Sequence, residues 1–96
     1  MHSASLESSP RLQRVLDLLE DGHERSTLEI SMGAQVCAVN SCIAELRDNG
    51  FAINCRQLSE RGGRVWLYRL DLSDPATAAK AASRRQLALA LEGADG

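Results

Sequence analysis

The apolar residues of this chain change period once, at Asn49-Gly50. Before that pair they recur at helical spacing. Leu12, Val15, Leu16 and Leu19 fall at i, i+3, i+4, i+7, and Val39, Cys42, Ile43 and Leu46 repeat the pattern. Each set forms one apolar stripe along a helix. After the pair the pattern alternates, with Ile53 and Cys55 on one side and Asn54 and Arg56 on the other, as in a half-buried strand. The chain has 96 residues, the length of roughly one domain. Helices and a sheet must therefore share one core, which points to a small α+β fold and excludes a two-domain enzyme, a barrel or a full dinucleotide fold.

Local signals mark the element boundaries. Residues 1–8 are Ser-rich and read as a disordered tail. Ser9-Pro10 is an N-cap followed by proline at the first helical position, so a first helix is expected over residues 10–21, ended by Asp21-Gly22. Ser26-Thr27-Leu28-Glu29 has capping-box spacing. A short second helix starts at Thr27, presents Leu28 and Met32 on one face and runs out near Gly33 or Ala34. Gln35, Val36 and Cys37 form a turn, and a third helix follows over residues 38–49, closed by Gly50 in the left-handed position.

The alternating part predicts a β-hairpin, with strands at 51–58 and 64–70 joined by the loop Ser59-Glu60-Arg61-Gly62-Gly63. The second strand is apolar on both faces. Trp66, Tyr68 and Leu70 are assigned inward, which leaves Val65 and Leu67 in need of another cover. Asp74-Pro75 repeats the cap-then-proline signal, and an alanine-rich fourth helix is expected over residues 75–92. Leu87 and Leu91 on that helix are candidates to cover Val65 and Leu67, within one chain or across a homodimer. Residues 94–96 are expected to be loose.

Helix, short helix, turn, helix and hairpin within about 60 residues is a helix-turn-helix followed by an arginine-tipped wing. The run Ala38-Val39-Asn40-Ser41-Cys42-Ile43-Ala44-Glu45-Leu46-Arg47-Asp48-Asn49-Gly50 resembles small winged-helix proteins of bacteriophages and prophages. The resemblance rests on an Ile-x-x-Leu-Arg-x-x-Gly core, here Ile43 to Gly50, and a closing Tyr-Arg-Leu, here Tyr68 to Leu70. It implies a winged helix-turn-helix domain over residues 9–72, a three-helix core plus a β-hairpin wing. Residues 73–96 form the additional C-terminal helix and tail. It also implies duplex DNA as partner and a regulatory role.

Charge is distributed to match. The net charge is −2, yet residues 51–70 carry Arg56, Arg61, Arg64 and Arg69 against Glu60 alone, a local +3. Attraction of the whole chain to nucleic acid is excluded; a local basic element is not. On the third helix, Asn40, Ser41, Ala44 and Arg47 lie opposite the apolar stripe. Asn and Arg are the side chains that pair bidentately with adenine and guanine edges. Arg56, Arg61 and Arg64 are the candidate phosphate contacts. A continuous basic strip favours DNA; a strip interrupted by Glu45, Asp48 and Glu60 favours a winged-helix module that binds protein instead.

No carboxylate pair, nucleophile–base set or phosphate loop is present, so an enzyme is not expected. Cys37, Cys42 and Cys55 include no C-x-x-C pair, and neither a metal nor another cofactor is expected. They read as reduced thiols of a cytoplasmic protein, with Cys42 and Cys55 facing inward. There is no apolar signal segment and no membrane span.

Overall fold

The computed structural model describes residues 5–93, apart from the side chains of Glu60 and residues 91–93. Among the described residues it is α+β, with four α-helices and a three-stranded antiparallel sheet. The expected looseness of residues 94–96 and of residues 1–4 lies outside the described residues. Residues 6–8, expected in the tail, instead form a 3-10 turn. The Leu6 N–H donates to Asn49 Oδ1 at 3.1 Å, and Leu6 packs against the core.

Helix α1 spans Pro10–Leu19, with Ser9 as its N-cap. Its stripe Leu12, Val15, Leu16 and Leu19 is fully buried. Helix α2 spans Thr27–Ala34 and opens with the complete capping box: the Ser26 hydroxyl accepts from the Glu29 N–H, and the Glu29 carboxylate accepts from the Ser26 N–H. That second contact holds the Glu29 carboxyl below its ordinary range. The expected apolar face of α2 is corrected. Leu28 and Met32 are 68% and 71% exposed, and Ile30 and Ala34 are buried instead. Gly33 lies on the side where α1 approaches: a Cβ there would meet Leu18 Cδ2 at 3.0 Å.

Helix α3 spans Val39–Asp48 and buries Val39, Cys42, Ile43 and Leu46. It ends as the Asn49-Gly50 pair predicts. Gly50 has φ +92°, its N–H donates to the Arg47 carbonyl at 2.9 Å, and the Phe51 N–H donates to the Leu46 carbonyl at 3.1 Å. This is the Schellman pairing, which satisfies two carbonyls of the last turn.

Strands β2 (Ile53–Glu60) and β3 (Gly63–Leu70) pair in register, Ile53 opposite Leu70 and Glu60 opposite Gly63. The connection is therefore two residues, Arg61-Gly62, rather than the five-residue loop expected. A short strand β1, Arg25–Ser26, pairs with the other edge of β3 at Tyr68 and Leu67. Two residues are too few to show a period, so the sequence carries no sign of it. The order is β1-β3-β2.

The hairpin is longer than the core it serves. Ile53, Tyr68 and Leu70 are buried at its base, whereas Trp66, assigned inward, is 47% exposed and Cys55 is exposed as well. Both share the face of Tyr68 through the register. The correction is one of depth along the strands: the sheet outruns the helices beneath it.

Helix α4 spans Pro75–Gly93. The Asp74 carboxylate accepts from the Thr77 N–H and hydroxyl, and buried Thr77 in turn accepts the Ala52 N–H at 2.8 Å. Lys80 donates to the Asn49 and Gly50 carbonyls and lies 5.7 Å from the Phe51 ring centroid. Arg84 pairs with Asp17 of α1 and with Glu20, the residue that follows that helix. These contacts seat α4 against α1 and the end of α3. Among the described residues, none of α4 lines the hollow at Val65 and Leu67, and Leu87 and Leu89 stay exposed. The Leu91 side chain lies outside the described residues.

Candidate nucleic-acid interface

Helix α3 presents Asn40, Ser41, Ala44 and Arg47 to solvent, because its opposite stripe is committed to the core. The inner face of the hairpin stands beside it. Asn40, Ile43 and Arg47 of α3 and Cys55, Trp66 and Tyr68 of the sheet line one open hollow of about 340 Å³. Thus Asn40 and Arg47 are brought together with the hairpin. Ser41 faces another hollow, with Arg11, Arg14 and Cys37, on the α1 side.

Two hydrogen bonds tie the helix to the sheet. The Tyr68 hydroxyl donates to Asn40 Oδ1 at 2.8 Å, and Arg47 Nη2 donates to the Ile53 carbonyl at 2.7 Å. Burial raises the Tyr68 phenol above its usual range, so it remains a neutral donor. Asn40 keeps its amide hydrogens for a further partner. Arg47 keeps guanidinium N–H groups beyond the one used.

The basic residues separate. Arg61 sits in the two-residue turn and Arg64 on the inner face of β3, in line with Trp66 and Tyr68. Both are exposed, and among the described residues neither forms an ion pair. Arg56 belongs to the other face. It stands opposite Leu67 and makes a two-pronged contact with Glu24, Nε to Oε2 at 2.5 Å and Nη2 to Oε1 at 2.7 Å. Its hydrogen bonds hold the Glu24 carboxyl below the usual range. The structure therefore removes Arg56 from the face that carries Asn40 and Arg47; the sequence separates the two pairing residues by 32 positions, beyond any local rule.

The acidic residues of α3 are also resolved. Glu45 is turned to Arg11 of α1, which additionally donates to Cys42 Sγ at 2.9 Å. Its charge is compensated on the side away from the hairpin. Asp48 is exposed near the end of α3.

Trp66, expected in the core, instead lines the hollow between α3 and the hairpin. The available signal was strand length: eight residues exceed what a core of three short helices can cover. Among the described residues, no group of three or more His, Cys, Asp or Glu is placed to hold a metal ion, and no helix is long and apolar enough to cross a membrane. No protein-family model, curated protein or solved structure matches the chain.

Proposed function

We propose that the chain is a winged helix-turn-helix protein that binds duplex DNA as a small regulator of the phage or prophage type. Helix α3 enters the major groove, and the β2–β3 hairpin acts as a wing whose Arg61 and Arg64 meet phosphates. The observation that carries this reading is the shared hollow between α3 and the hairpin, bordered by Asn40, Arg47 and Trp66. Asn40 is held by Tyr68 and supplies a donor–acceptor pair suited to an adenine edge. Arg47 suits a guanine edge. For such a regulator the cytoplasm is the working compartment.

A second reading, a winged-helix module that binds protein, draws on the pairing of Arg56 with Glu24 and on the one Arg47 N–H that the Ile53 carbonyl takes up. The test is a two-dimensional NMR titration with a generic duplex at low and moderate salt. The DNA reading expects shifts at residues 38–48 and 59–65 that weaken as salt rises. Absence of shifts in both segments at low salt overturns it.

A further inference from the structure

Among the described residues, two apolar surfaces have no cover, and they lie apart. The first is the free end of α4. Past Arg84, its last tie to α1, every described residue from 85 to 90 is exposed, including Leu87 at 63% and Leu89 at 59%. The second is a hollow of about 620 Å³ on the side of the molecule that carries Leu28 of α2 and Val65 and Leu67 of β3. Its lining comes from β1, α2 and β3 alone. Met32, one turn beyond Leu28 and 71% exposed, extends the apolar strip along α2.

The shape of the helix end selects its partner. Residues turn by about 100° each along an α-helix, so Leu87 and Leu89 stand about 200° apart, on nearly opposite sides. A flat face or a second helix takes up one of them. A groove with two apolar walls takes up both, and Ala88 and Ala90 between and beyond them let the helix axis come close. The hollow offers apolar side chains on two walls, Leu28 of α2 on one and Val65, Trp66 and Leu67 of β3 on the other, with Glu29 and Arg64 among its polar lining.

Area points the same way. The described large apolar side chains on one helix end are Leu87 and Leu89 alone, so two ends packed on each other fall short of the about 1,200 Å² of a specific interface. Seating each end in the other copy's hollow adds Leu28, Met32, Val65 and Leu67 to the buried set, and two-fold symmetry makes that contact twice.

We infer that the chain forms a reciprocal homodimer in which the α4 end of each copy, through Leu87 and Leu89, occupies the Leu28–Val65–Leu67 hollow of the other. The inference stands independently of DNA binding. The hollow leaves out Asn40 and Arg47 but takes in Arg64 and Trp66, so the dimer keeps the α3 face accessible and covers part of the hairpin.

Three variants test it without DNA. Light scattering across a concentration series is expected to show a dimer for the unaltered chain. It is expected to show monomers for the Leu87→Glu/Leu89→Glu double variant and for Leu28→Glu, with Leu67→Glu as a second hollow variant. Leu28, Leu87 and Leu89 are solvent-exposed and Leu67 is half-buried, and amide spectra that keep native dispersion check that each variant is folded. Isotope-labelled Leu87→Glu/Leu89→Glu chain, whose hollow is intact, is then titrated with unlabelled Leu28→Glu chain, whose helix end is intact. Shifts at residues 26–29 and 64–67 of the labelled copy are expected. A monomeric unaltered chain overturns the inference. So does a dimer that survives both hollow variants, which indicates helix ends pairing with each other. Absence of shifts in the mixing experiment also overturns it.

Discussion

The Tyr68 hydroxyl donates to Asn40 Oδ1 across 28 positions of sequence, joining the middle of β3 to the exposed face of α3. The bond fixes the side chain best suited to read an adenine edge before any ligand arrives. Tyr68→Phe keeps the buried ring and removes only the donor. We expect a stability loss of about 0.5–1.5 kcal/mol by chemical denaturation. We also expect weaker duplex binding than that stability loss explains, because Asn40 then loses orientational order. Equal effects of Tyr68→Phe on a protein carrying Asn40→Ala and on the unaltered protein, in a double-mutant cycle, would show that the two residues act separately.

The arginines are expected to divide into three behaviours. Arg47→Ala should relax base preference at a cost of about 1–3 kcal/mol, as for a bidentate guanine contact. Arg61→Ala and Arg64→Ala should each weaken binding to all sequences alike and reduce the salt slope by about 0.9. Arg56→Ala should leave the salt slope unchanged, since its guanidinium is engaged by Glu24 on the other face. Competition binding at several salt concentrations separates the three; a reduced slope for Arg56→Ala contradicts the assignment of faces.

Helix α4 should contribute to stability through its first turns. Thr77→Ala removes the acceptor of the Ala52 N–H and is expected to cost about 1–3 kcal/mol. Thr77→Ser should recover most of it. Truncation after Ser73 should be at least as destabilising, since Lys80 and Arg84 leave with it. An unchanged thermal midpoint in the truncated chain would mean that α4 is only an appendage.

Acid should loosen α2. The Glu29 carboxyl titrates below its unfolded value of 4.5 because it accepts the Ser26 N–H. A depressed folded-state value adds stability that is present above that unfolded value and is lost as pH falls through the folded one. The expected outcome is a stability decline below about pH 4.5, reduced in Glu29→Gln, which keeps the cap acceptor without the charge. Helicity measured by circular dichroism against pH checks it.

Thiol chemistry distinguishes the three cysteines. Cys37 and Cys55 are exposed and Cys42 is buried. A thiol reagent should modify two groups quickly in the native state and the third only on unfolding. Fast modification of all three would contradict the packing of α3 against α1.

Much of the fold is legible because its causes are local. Ser9-Pro10, the Ser26–Glu29 box and Asn49-Gly50 act within four residues, through backbone groups that a helix end leaves unpaired. The order of the four helices and the hairpin, and the α3 face carrying Asn40, Ala44 and Arg47, follow from spacing alone. The inward side of α2 does not. Leu28/Met32 and Ile30/Ala34 are both i, i+4 pairs, on opposite sides of the same short helix, and only the approach of α1 at Gly33 decides which is buried.

The sequence by itself determined the four helices with their caps and the presence of a hairpin, because caps and periodicity depend on neighbours along the chain. It did not determine β1 or the length of the hairpin strands. Tertiary structure alone decided how far the core reaches along the hairpin, leaving Trp66 and Cys55 outside it. It decided that Glu24 takes Arg56, that Arg11 takes Glu45, and that α4 lies on α1 through Arg84 rather than over Val65 and Leu67. The physical reason is range. These partners are 32, 34 and 64 residues apart, and each side chain had several chemically equivalent partners until the packing of the helices brought one within reach.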